Sequence, residues 1–145
     1  MKKLLLIIAL MACVAPVYAS PASDNFRSCL RDATTGKDRT ELSRWLFAMM
    51  ASSPKLSAMS AISAEQRDQL NARAGVIINR IFLVDCKDPY VSMIKTDGST
   101  STKVAFGMIG EVSVGELMAA PEVETKMIDF VRYLDQAGFA KLMAQ

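Results

Sequence analysis

Histidine is absent from all 145 residues, tryptophan occurs once and cysteine three times. Without histidine there can be no Ser-His-Asp or Cys-His nucleophile arrangement and no histidine-containing zinc site. No dense Lys/Arg run with interleaved aromatics appears, so a nucleic-acid partner is not expected. Beyond the N-terminal region, no uninterrupted apolar run reaches the roughly 20 residues of a permanent membrane span. Internal repeats are missing too: the turns "ATTGKD" and "KTDGSTST" look alike, but the residues after them do not keep register.

What is present first is an export signal. Lys2 and Lys3 precede an unbroken apolar stretch from Leu4 to Ala12, followed by Pro16 and the small-residue site Val17-Tyr18-Ala19. Cleavage is expected between Ala19 and Ser20, which divides the chain into a signal peptide, 1–19, and a single domain, 20–145. A rival reading treats Leu10-Met11-Ala12-Cys13 as a lipobox, making Cys13 a lipid-anchored first residue of an envelope lipoprotein. Against it, Met11 is unusual at its position and the Ala19 site is better formed.

Processing after Ala19 changes the charge balance. Lys2 and Lys3 are the two cations by which 17 Lys+Arg exceed 15 Asp+Glu, so residues 20–145 carry no formal net charge. An apolar content of 51% in the full chain argues for one compact domain with a core rather than disorder. Cys29 and Cys86 remain, 57 positions apart, in a compartment that permits disulfides. A structural bridge is the expected pairing, because no Cys-x-x-Cys motif is there to depress a thiol pKa.

Every long segment reads as helix. Phe26, Cys29 and Leu30 share one face of a helix from about Ala22 to Ala33. Asp38 and Glu41 form an expected capping box for a second helix with Leu42, Trp45, Leu46 and Met49 inward. Ser63 and Gln66 open the longest candidate, about Ala64 to Cys86, some 34 Å at about 1.5 Å per residue. Leu70, Ala74, Ile77, Ile81 and Val84 make its stripe, and it is expected to run through the middle of the fold. Asp88 is expected to cap a short helix with Pro89 at its first position. After the Asp97-Gly98 turn, Ser99 or Ser101 caps a fifth helix, about Thr102 to Ala119, whose Gly107, Gly110 and Gly115 call for close packing or a ligand. Pro121 starts a last long helix with Val123, Met127, Phe130, Val131 and Leu134 on one face and a Glu122–Lys126 pair on the other. The expected fold is therefore all-α: a single domain of about five to six helices around a long central helix, with one disulfide.

Candidate chemistry is sparse. "TTGKDR" resembles a phosphate loop only in Gly36-Lys37; Arg31 stands where the first glycine belongs and Asp38 where Ser or Thr belongs. It reads better as a helix entrance, with Lys37 and Arg39 a candidate anion contact. Arg73, Arg80 and Lys87 recur at sevens, which makes them a solvated stripe or a contact surface for an acidic partner. Asp85 with Asp88, or Asp129 with Asp135, are the carboxylate pairs an envelope-polymer hydrolase would draw on. No catalytic residue, metal or cofactor is expected from this inventory.

The segment from Cys29-Leu30 through "TTGKDR" to Trp45, with Pro54, the second cysteine and the closing "RYLDQAGF", resembles a group of small exported bacterial proteins without a known activity. The resemblance implies export and a helical body. In outline only, the chain is also similar to immunity proteins that bind peptidoglycan-cutting toxins. The expectation that follows is a periplasmic, non-enzymatic protein that binds a protein or small ligand of the cell envelope. An immunity or inhibitor role, a lipoprotein and a carboxylate enzyme are its rivals.

Overall fold

The computed structural model describes residues 20–143. The signal segment, Cys13 and Ala19 lie outside the described residues. Among those described there is no strand, and the helices are α1 (Pro21–Ala33), α2 (Gly36–Met50), α3 (Ala64–Arg80), α4 (Lys87–Asp97), α5 (Ser101–Met118), α6 (Pro121–Met127) and α7 (Gln136–Met143). The fold is all-α with a Cys29–Cys86 disulfide, Cα to Cα 5.8 Å.

Helix starts follow side-chain capping. Ser20 caps α1, accepting from Ser23 N at 3.0 Å, while its hydroxyl donates to Asp97 Oδ2 at 2.9 Å and ties the start of α1 to the end of α4. With the disulfide joining their other ends, α1 and α4 run antiparallel. The Ser63–Gln66 capping box opens α3 as expected. At α2 the cap is Thr35, not Asp38: Thr35 Oγ1 accepts from Asp38 N and the Asp38 carboxylate accepts from Thr35 N, so Asp38 closes the box instead of opening it. Asp88 is not a cap either, because α4 begins at Lys87 directly after the bridged Cys86. Nor do Ser99 or Ser101 cap α5, whose N-cap position is Thr100.

Helical structure continues almost without pause from Lys87 to Met118, with a 3-10 turn at Gly98–Thr100, and this stretch is the centre of the packing. Gly98 has φ 60°, the only positive φ among the described residues, a conformation that favours glycine for want of a Cβ. The chain folds back there, so the Tyr90 hydroxyl and Thr102 Oγ1 lie 3.3 Å apart. Phe26 and Leu30 of α1, Leu42 of α2, and Met93, Met108 and Ile109 of the central stretch are all buried. An aromatic cluster joins α1 to the end of α3: Phe82 stacks on Tyr90 at 4.6 Å and meets Phe26 edge-on at 5.3 Å. Such pairs contribute about 0.5–1.5 kcal/mol each beyond their area.

The helix at Ala64 behaves differently from its expected central place. It buries Ala74, Ile77, Ile81 and Phe82, whereas Val76, Leu83 and Val84 are exposed. Its last turn, Ile81–Asp85, is a π-helix closed by Cys86 N donating to Ile81 O at 2.8 Å. The wider turn changes the register of everything after it. Cys86 is thereby fully buried opposite Cys29, and Val84 leaves the stripe that a uniform 3.6 period had assigned to it.

The glycines of α5 are a second departure. A Cβ at Gly107, Gly110 or Gly115 would have nothing within 4 Å, so the expected close helix packing does not account for them, and Gly115 lines a hollow with Arg31 and Arg39. The close α2–α5 contact lies at serines instead: the buried Ser43 hydroxyl is 2.7 Å from both Arg39 O and Ser113 O, and Ser113 donates to Ile109 O.

Candidate interaction surface

The arginines singled out in the sequence are engaged inside the chain. Arg80 Nη2 lies 3.0 Å from Asp38 Oδ2 and 3.2 Å from Ala33 O, and its Nε is 3.0 Å from Asp85 Oδ2 without an aligned hydrogen bond. Burial pushes the Asp38 carboxyl up, but the Thr35 hydroxyl and amide and the Arg80 guanidinium outweigh it and hold the pKa below its ordinary value. The hydrogen bond to Asp38 in turn raises Arg80. Arg73 pairs with Glu41 at 3.3 Å, and Arg39 Nε pairs with Glu116 at 3.0 Å while Nη1 donates to Thr34 O at 2.7 Å. Lys37 and Lys87 are exposed.

These residues do not form one site. The π turn interrupts the seven-residue repeat before Lys87, so Arg73, Arg80 and Lys87 are not a single stripe. Arg39 does line a hollow of about 350 Å3 with Arg31, Thr34 and Glu116, yet an incoming anion there has to displace the Glu116 carboxylate. Asp85 is committed to Arg80, and Asp129 pairs with Lys126 at 3.3 Å, taking the place of the expected Glu122–Lys126 pair. Asp135 accepts from Gly138 N at 3.0 Å. Among the described residues there is no group of three His, Cys, Asp or Glu arranged to hold a metal ion.

Beside the exposed Val76, Leu83 and Val84 of the α3 region, two further places present apolar surface. The first is a trough of about 520 Å3 between the end of α2, the 3-10 turn Ser57–Met59 and the start of α3, lined by Phe47, Met59, Ile62, Leu70 and Arg73. Trp45 Nε1 donating to Asn71 Oδ1 at 3.1 Å ties these two helices together beside it. Phe47, 51% exposed, also lines an adjoining hollow of about 350 Å3 with Arg44, Leu117 and Ala120. The two depressions meet at Phe47, and the second reaches the C-terminal end of α5 at Leu117 and Ala120.

The second place is the C-terminal arm, Pro121–Met143. After Met127 it tightens into a 3-10 turn, Ile128–Tyr133, rather than continuing as the expected long α-helix. Its apolar residues were expected to face a core, yet the described chain offers them none. Phe130 is 58% exposed, Phe139 53% and Leu142 65%. Among the described residues, helix α6 touches only α5 and its own 3-10 turn, and α7 packs on no other element. The arm leaves the body at 84° to the preceding helix. No single described helix is long and apolar enough to cross a membrane.

Both features escaped the sequence reading for one reason. Apolar residues at helical spacing identify a face, and the same spacing serves a core and a docking surface equally. No family model matches the chain, no curated protein aligns with it, and no solved structure matches its fold.

Proposed function

We propose that this is an exported, periplasmic, non-enzymatic interaction protein, and that the C-terminal arm is its principal contact surface. The observation that carries the reading is the arm's lack of packing: helices this short are marginal in water unless an apolar face is covered, and Phe130, Phe139 and Leu142 are uncovered. Export is supported by the signal layout of residues 1–19 and is compatible with the Cys29–Cys86 bridge. A binding role in place of a catalytic one is supported by the ion-paired state of Asp38, Glu41, Asp85 and Glu116.

Affinity capture from envelope fractions tests the proposal, using the wild-type chain and a Phe130→Asp/Phe139→Asp variant. Both substitutions fall on exposed side chains, so the fold is retained and circular dichroism checks that it is. The expected result is a defined species retained by the wild type and lost with the variant. Identical retention by both removes the arm from the interaction.

A further inference from the structure

Resting on the reading of the arm as a contact surface, we infer that its occupant is a second copy of this chain. The arm of each copy lies in the Phe47–Leu70 trough of the other.

Three observations point to this occupant. The root of the arm lies close to the trough: Leu117 and Ala120, at the end of α5, line the hollow that adjoins the trough at Phe47. A two-fold axis near Ala120 therefore sets the root of each arm beside the trough of the other copy, the condition for a self-complementary exchange. The exit direction is also fixed, since Ala120 N donates to Leu117 O at 3.3 Å and Ala120 O accepts from Val123 N at 2.9 Å and Glu124 N at 3.0 Å.

Charge agrees with the geometry. Arg44 and Arg73 flank the trough and share one carboxylate, Glu41, which leaves a surplus positive charge at the rim. Near the arm's root, Glu122 and Glu124 are exposed and form no ion pair among the described residues. Exchange brings the unpaired acids of one copy to the surplus cation of the other. Area suffices as well: an aromatic side chain buries roughly 150–250 Å2, and each arm carries Phe130, Tyr133 and Phe139. Even allowing for their partial cover, two arms with their aliphatic neighbours approach the ~1,200–2,000 Å2 of a stable interface.

The test is native mass by light scattering across a concentration series, on the chain purified from producing cells. The wild type is expected at twice the monomer mass. The arm variant Phe130→Asp/Phe139→Asp and a trough variant, Phe47→Asp/Met59→Asp, are each expected to be monomeric and folded. Mixed together they should recover a dimer containing one of each, because the trough variant still has an arm and the arm variant still has a trough. A wild type that stays monomeric overturns the inference. So does a trough variant that remains dimeric, which would mean arms pairing with arms, or a mixture that does not recombine. A monomer whose arm pellets with phosphatidylglycerol vesicles overturns the second-copy occupant while leaving the arm as a contact surface. A monomer whose arm also retains nothing in the capture experiment overturns both.

Discussion

Arg80, at the end of α3, reaches across to Asp38 in the first turn of α2, Nη2 to Oδ2 3.0 Å, while the same carboxylate closes the capping box with Thr35. One side chain thus satisfies a helix start and an inter-helix contact together. Removing it exposes the amide of Thr35 and leaves the Arg80 guanidinium to Asp85 and the Ala33 carbonyl. Asp38→Ala is expected to cost about 2 kcal/mol, within the range for loss of hydrogen bonds to a charged group, read as a shift in urea midpoint at unchanged slope.

The same pair gives the protein an acid-sensitive term. The folded pKa of Asp38 is lowered from its ordinary 3.8. Its stabilisation is therefore complete well above pH 3.8 and fades as pH falls through the lower folded value. Asp38→Asn is expected to flatten that part of the acid limb while lowering stability at neutral pH. An unchanged acid limb in the variant contradicts the pairing.

Reduction isolates the clamp between α1 and α4. The bridge closes a 57-residue loop, for which chain entropy assigns roughly 4 kcal/mol. Denaturation with and without reductant, or of Cys29→Ala/Cys86→Ala, is expected to show a loss of that order. A loss of a few tenths would mean that the aromatic cluster around Phe82 holds these helices alone.

Open space around the α5 glycines predicts stabilisation by substitution. Gly107→Ala and Gly110→Ala place a Cβ with nothing within 4 Å and recover up to about 1 kcal/mol of helix propensity each. Thermal melts are expected to move upward. A downward shift would reveal a close neighbour at that face.

Stability should depend on concentration through the arm. If two copies exchange arms, the melting temperature of the full chain rises with protein concentration, whereas a chain ending after Ala120 melts at one concentration-independent temperature. Equal, concentration-independent melts of the two contradict the exchange.

Much of this architecture was legible from local chemistry. Ser63 with Gln66 marked a real helix start, Phe26 and Leu30 marked a real buried face, and the cysteines paired as expected. The cap of α2 falls at Thr35 because Thr35–Asp38 and Asp38–Glu41 are overlapping capping patterns, and Asp38, besides closing the first, also accepts from Arg80, 42 residues away. Val84 and Lys87 were misassigned because a π turn has no periodic signature in sequence. Arg39, Arg73 and Arg80 were visible as candidates, but their carboxylate partners were not. The trough around Phe47 arises only when the Ser57–Met59 turn meets α3, a juxtaposition that spacing does not encode.

Photo-crosslinking from position 130 in producing cells tests the central claim most directly, with a benzoylphenylalanine replacing Phe130 and a control replacing Asn79 on the exposed side of α3. The account predicts an adduct from position 130 only, at twice the chain's mass, with the crosslink mapped to the Phe47–Leu70 trough. An adduct with a different protein would keep the arm as the contact surface and contradict the second copy. No intermolecular adduct, or equal adducts from both positions, would contradict the arm's role altogether.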